Sequence, residues 1–362
     1  MKPKTRLHNR EVVEVVEEAE AEAEAEEIDQ KKGGMMTNFY SLPEGCVANI
    51  IALTSPRDAC RSSAVSSMFE SAAVSDFVWE RFLPSDYEEI ISRSSSGSRS
   101  SSSGHRLTFS SKKELYFYLC DHPILIDGGT KSFRVDRSSG KKIYMIGARE
   151  LSIVWGGTPQ YWRWTSLPEA RFPEVAELVR VCWLEIKGKM DTRMLSPETA
   201  YTAYLVMKSV EGAYGFEHPP AEASVKITST NTDITTIKND VDGVDWWMAN
   251  DQGGRSVYLD RACAMRRHFQ LAPVAVAPQA IRNKELARYG HSRPTLFTRW
   301  DIAGLVQFPV SRGDGWMEVE MGEIYIEGGD KGDVQMSLTE IKGGHWKAGL
   351  IVQGIELRPK NN

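Results

Sequence analysis

Four aromatic residues crowd one short stretch of this chain. Trp155, Tyr161, Trp162 and Trp164 fall within ten residues, around the turn-forming run Gly156-Gly157-Thr158-Pro159. So many large rings around one loop exceed what a core needs there. The chemistry they suggest is non-covalent. An indole face stacks against the apolar C–H face of a sugar ring, and carboxylates, amides or backbone groups satisfy the hydroxyl rim. Trp155, Trp162 and Trp164 are therefore candidate platforms, and Glu318 and Glu320, near Trp316, are candidate hydroxyl acceptors. The same residues allow a structural alternative, in which Trp155 points inward from an alternating strand and Trp164 covers a helix at 111–120. Trp183 and Trp346 sit in apolar strand patterns and are expected in the core.

Bond-making chemistry has less support. The seven histidines are scattered without metal-site spacing, and neither G-x-S-x-G nor a P-loop occurs. Gly253-Gly254 and Gly343-Gly344 read as turns. The expectation is a non-catalytic protein with no metal and no cofactor.

The elements that would hold these residues change character along the chain. Glu11 to Gln30 carries ten acidic residues and no Lys or Arg; such dense like charge reads as a solvated, disordered tail. Short helical patterns follow. Val47, Ile50 and Ile51 share one helical face, and Ser55-Pro56-Arg57-Asp58 is an N-cap with Pro at the first helical position. A third helix from Met68 to Val74 turns Phe69, Ala72 and Ala73 inward, and a fourth carries Val78, Trp79, Phe82 and Leu83. Ser92 to Gly104 holds nine Ser in thirteen residues and reads as a flexible linker. Ser111-Lys-Lys-Glu114 is a capping box opening a helix with Leu115, Tyr118 and Leu119 on one face.

From Lys142 onward the period becomes that of strands. Candidates are Val181–Lys187, Tyr201–Val210, Ala223–Thr228, Gly254–Leu259, Trp316–Ile326, Val334–Ile341 and Leu350–Leu357. Many short strands with Gly/Pro turns indicate an antiparallel sandwich rather than a parallel α/β sheet. Residues 260–310 keep no alternation and read as a disordered insertion.

Charge and cysteine content exclude several classes. The chain has 362 residues and a net charge of −5, yet without residues 1–30 it holds 40 basic and 39 acidic residues. A body so balanced offers no footprint for nucleic acid. No apolar run is long enough to span a bilayer, and no signal-peptide pattern opens the chain. Five widely spaced cysteines form neither a disulfide framework nor a zinc motif. A reducing, intracellular setting fits, and the nucleus and cytoplasm are the expected locations.

Two resemblances organise the whole. Leu42-Pro43, Ile50-Ile51, Leu53, Ser55-Pro56-Arg57-Asp58, Cys60, Val65, Phe69, Trp79 and Phe82 stand in the order of an F-box, over about residues 39–84. The resemblance implies docking onto a Skp-type adaptor that bridges to a cullin-RING ubiquitin ligase. Its expected contacts are Leu42, Pro43, Ile50, Ile51, Leu53, Pro56 and Cys60. The remainder resembles the phloem lectin, or Nictaba-like, family. Ser110 to Tyr116, Lys131-Ser-Phe133, Gly140 to Lys142, Leu151 to Trp164, Glu169 to Phe172, Val181 to Ile186, Asp314 to Glu318 and Gly349 to Glu356 carry it, and the long 260–310 stretch departs from it. In that family the tryptophans matching Trp155 and Trp162 are linked to carbohydrate binding.

The implied architecture is α+β and multidomain. An acidic tail (1–37) precedes a helical F-box (38–84), a Ser-rich linker (85–105) and a jelly-roll-like antiparallel β-sandwich lectin domain (106–362). The implied function is substrate recognition for a Skp-cullin-F-box ubiquitin ligase, with carbohydrate or glycoprotein targets. A sandwich that binds protein rather than sugar, and a lectin without ligase coupling, remain as alternatives.

Overall fold

The computed structural model describes residues 42–94, 109–216, 219–229, 254–260, 306–329 and 331–360. The acidic tail, most of the Ser run and most of the 260–310 stretch lie outside the described residues. The chain divides into two compact units, Met1–Val78 and Trp79–Asn362.

The first unit is helical. Helix α1 spans Glu44–Ala52, α2 Pro56–Ser62 and α3 Ser67–Val74, and α4 (Asp76–Phe82) begins in this unit. Ser55 Oγ accepts from Asp58 N at 3.1 Å with Pro56 in the first turn, as the motif predicts. Ser66 caps α3 in the same way. The small core contains Val47, Ala48, Ile51, Pro56, Ala59, Ala72, Ala73 and Val78. In α1 the buried stripe is Val47, Ala48 and Ile51, whereas Ile50 is turned outward. The expected face is therefore rotated by about one position.

The unit boundary departs from the motif boundary. Trp79 and Phe82 carry the helical resemblance, yet Trp79 packs within the second unit, its ring 5.1 Å from both Tyr116 and Phe117. The stretch read as linker from 85 contains a helix as far as Ser94: α5 is Tyr87–Ser94, and its Arg93 forks onto Asp127 at 2.9 and 2.7 Å. Helix α6 (Lys112–Asp121) opens with Ser111 Oγ accepting from Glu114 N, while the Glu114 carboxylate accepts from Ser110 N. Leu115, Tyr116, Leu119 and Cys120 face inward in α6, and Tyr118 is only half-buried.

The strands of the second unit form two sheets. The first runs β1 (Ile124–Ile126), β2 (Lys131–Val135), β3 (Lys142–Gly147), β15 (Ala348–Pro359), β8 (Thr199–Tyr214), β13 (Met317–Ile326) and β12 (Val310–Ser311). β5 (Trp162–Thr165) joins it through β6 (Val175–Leu178), which pairs with the start of β15 where β3 pairs with its end. The second sheet runs β11 (Val306–Gln307), β10 (Arg255–Val257), β9 (Ala221–Ser229), β14 (Gly332–Glu340), β7 (Leu184–Asp191) and β4 (Ser152–Ile153). All described pairings are antiparallel except β10 with β11.

Strict alternation holds where one sheet face meets solvent. β14 alternates throughout, burying Val334, Met336 and Leu338 and turning Gln335, Ser337 and Thr339 outward. β15 does not alternate, because nearly every residue from Gly349 to Leu357 is buried. Its second face is roofed by the segment between β5 and β6: Phe172 joins Met145, Val206, Trp316 and Ile351, with Leu167 and Ala170 packed against them. The closeness of the strands explains Gly354, where an added Cβ would stand 2.0 Å from Ile146 O. Gly354→Ala is expected to cost about 2 kcal/mol through forced strand displacement, read as a lowered denaturation midpoint.

Candidate functional site

The aromatic loop joins the two sheets, leaving β4 at Ile153 and entering β5 at Trp162. Its backbone is cross-tied at each step. Gly156 N donates to Ile153 O at 2.9 Å, Thr158 N to Trp155 O at 2.8 Å, and Tyr161 N and Trp162 N to Thr158 O. Gly156 is closely packed in the turn, since a Cβ there would lie 3.0 Å from Ile153 O.

The loop sorts its aromatic residues by depth. Trp155 is 42% exposed, adopts the left-handed conformation at φ 57° and stacks obliquely on Tyr161 at 5.3 Å. A bulky residue in that region costs about 1–2 kcal/mol and is held there only by its surroundings. Trp164 is half-buried: its Nε1 donates to Gly156 O at 2.8 Å, and the Arg149 guanidinium lies 3.8 Å from its ring centre. Glu174 fixes that arginine with hydrogen bonds of 2.8 and 2.9 Å. Arg149, Leu151, Ser152, Ile153, Gly156, Gly157 and Trp164 line a cleft of about 300 Å³.

Trp162 has a different place from the one its motif suggests. It is 2% exposed, so its ring has no open face for a ligand, and its Nε1 is buried without a hydrogen-bond partner among the described residues. It anchors the loop from beneath. Trp164 faces the cleft rather than the helix at 112–121.

Glu318 and Glu320 are not brought to the loop. Glu318 accepts from Arg312 and Arg358, each at 2.6 Å, and Glu320 is ion-paired with Arg255. Among the described residues no hydrogen bond or ion pair links either carboxylate to residues 155–164. The sequence cue was their closeness to Trp316, but Trp316 is buried and donates from Nε1 to Glu169 O at 3.1 Å.

Trp183 and Trp346, expected in the core, are instead 43% and 50% exposed. The parity of β7 carried that signal: Leu184 and Ile186 point inward, so Trp183 shares the outward face with Glu185 and Lys187.

On the helical unit, the residues expected to meet a partner divide into surface and support. Pro43, Ile50, Leu53 and Cys60 are exposed, Leu53 to 78%, and Leu42 is half-buried. Ile51 and Pro56 are buried beneath them, and Val65 adds a further exposed apolar side chain at 67%.

A family profile described as Phloem protein 2 matches residues 141–359, which takes in the aromatic loop and the described strands from β3 to β15. Among curated proteins of Arabidopsis thaliana, F-box protein PP2-B1 is 38% identical over 344 residues, spanning 90% of this chain and 91% of its own. F-box protein PP2-B15 is 41% identical over 322 residues, spanning 88% of this chain and 96% of its own. The chain belongs to the F-box proteins with a C-terminal phloem protein 2 domain. F-box protein VBF, 40% identical, is covered over 99% of its length.

Proposed function

We propose that the chain is the substrate-recognition subunit of a Skp-cullin-F-box ubiquitin ligase, whose phloem protein 2 domain binds carbohydrate on glycoprotein targets. Such a subunit makes and breaks no bonds; it raises the concentration of its target beside the transferase. The observation that carries the ligase half is the exposed apolar set Pro43, Ile50, Leu53, Cys60 and Val65 over a core only a few residues deep. A small helical unit with so much outward apolar surface is suited to completion by a partner. The exposed Trp155 beside a cleft with mixed polar and aromatic lining supports the carbohydrate half. The nucleus and cytoplasm are the proposed setting, in keeping with the free thiols of Cys46, Cys60, Cys120 and Cys182.

Capture of a purified Skp-type adaptor tests the ligase half. The double variant Ile50→Asp/Leu53→Asp is expected to weaken capture at least about tenfold, since central apolar contacts dominate such interfaces. Both side chains are exposed, so the helical signal should not change. Undiminished capture by the folded double variant would refute docking through this face. A glycan array tests the carbohydrate half, and binding confined to unglycosylated protein would transfer the role to protein recognition.

A further inference from the structure

One face of the first sheet carries more positive charge than its carboxylates offset. Ser132, Met145, Glu356 and Tyr204 stand side by side across β2, β3, β15 and β8. Side chains two residues apart along a strand share a face. Arg134 on β2 and Arg358 on β15 are each two residues beyond that row, and they flank each other across β3. Arg171 and Arg312 reach the same carboxylate, Glu356, from connecting segments. Among the described residues these four guanidinium groups meet three carboxylates, Glu356, Glu318 and Asp314, so one positive charge is left over.

The shortfall falls on the outer pair. Arg312 contacts all three carboxylates and is 9% exposed. Arg134 has a single long contact, 3.4 Å from Nη2 to Glu356 Oε1, and its Nε is buried without a hydrogen-bond partner. Arg358 bonds Glu318 at 2.6 Å, but its Nε reaches that same Oε1 only at 3.4 Å. Both side chains are 25% exposed and open to a ligand. Behind them, burial lowers the proton affinity of Arg171, and Arg312 and Arg134 add to the effect beyond what Glu356 restores. Repulsion among the cations is therefore incompletely relieved.

The spacing suits one further anion. Two nitrogens that each lie 3.4 Å from one oxygen are at most about 7 Å apart, twice that distance. A tetrahedral oxyanion accepting hydrogen bonds of about 2.9 Å on either side bridges such a gap. Arg358 is already oriented, its guanidinium 3.8 Å from the centre of the Tyr204 ring. Guanidinium forks match the oxygens of phosphate in pairs.

The geometry points to a phosphate-binding site at Arg134 and Arg358, on strands other than those that hold the aromatic loop, taking free phosphate or a phosphate monoester. Glu356 keeps the arginines in place and competes with the ligand for them. Calorimetric titration of the full chain with sodium phosphate, against chloride of matched ionic strength, is expected to show saturable binding. Arg134→Gln should weaken it at least about tenfold, and Arg134→Lys, which keeps the charge without the fork, should weaken it less. Glu356→Gln removes the competing anion and should bind at least about tenfold more tightly. Phosphate should also raise the denaturation midpoint of Glu356→Gln by more than it raises that of the wild type. Arg134 has one long contact to lose, so an unchanged thermal midpoint verifies that its variants fold. Binding of O-phosphoserine alongside inorganic phosphate supports a site open to monoesters, and binding of inorganic phosphate alone supports one closed to them. Absence of saturable binding by the wild type, or undiminished affinity in folded Arg134→Gln, would overturn the site. Should Arg134→Gln not fold, Glu356→Gln decides: no gain in its midpoint with phosphate over chloride would overturn the site as well.

Discussion

Glu356→Gln is expected to destabilise the β unit by about 3–5 kcal/mol, read by chemical denaturation at neutral pH. Glu356 is fully buried on β15 and is the hub of four guanidinium groups. Arg171 and Arg312 reach its Oε2, each at 3.1 Å, and Arg134 and Arg358 reach Oε1, each at 3.4 Å. Glu318 shares two of these arginines. An isosteric amide keeps the shape and removes the charge, leaving partly buried cations facing one another. Glu169→Gln offers the contrast: its pair with Lys208 is exposed on the carboxylate side and should contribute far less.

The same cluster fixes a dependence on pH. Burial opposes ionisation of Glu356, but Arg312, Arg171, Arg134 and Arg358 outweigh it and lower the carboxyl from 4.5 to about 2. Because the folded-state value is depressed, the stabilisation is fully present above the unfolded value and is lost as pH falls from about 4.5 towards 2. The wild type should therefore lose more stability across that window than Glu356→Gln. Equal acid sensitivity of the two would show that the cluster carries little stability.

Why this cluster was invisible in the sequence is a matter of distance along the chain. Glu356 reads as one polar residue in an apolar strand, and its partners come from positions 134, 171, 312 and 358. Local signals fared differently. Ser55-Pro56 and Ser111 specify their caps through neighbours three residues away, and both caps are formed. The alternation of β14 was legible because only one of its faces meets the core. The doubly covered β15 hid its register for the opposite reason, since the roof over it comes from residues 167–172. The aromatic loop was legible as a concentration of rings, but the depth of each ring was not. The left-handed turn at Trp155 shifts side-chain directions away from strand alternation, exposing one tryptophan and enclosing another seven residues on.

That division of depth predicts opposite outcomes for two tryptophans that the sequence motif treats alike. Trp162→Ala empties a site that is 98% enclosed and should cost about 3–5 kcal/mol, so any loss of ligand binding accompanies a loosened loop. Trp162→Phe retains most of the ring and deletes the buried, unpartnered indole N–H, and should cost clearly less than Ala. Trp155→Gly removes an exposed ring and relieves the left-handed backbone at φ 57°. Its stability should equal that of the wild type or exceed it by up to about 1 kcal/mol, while the glycan binding proposed above should be lost. Denaturation midpoints and glycan retention, measured on the same preparations, separate the roles. A Trp155→Gly protein that keeps its glycan, or a Trp162→Ala protein as stable as the wild type, would reverse the assignment of contact and anchor.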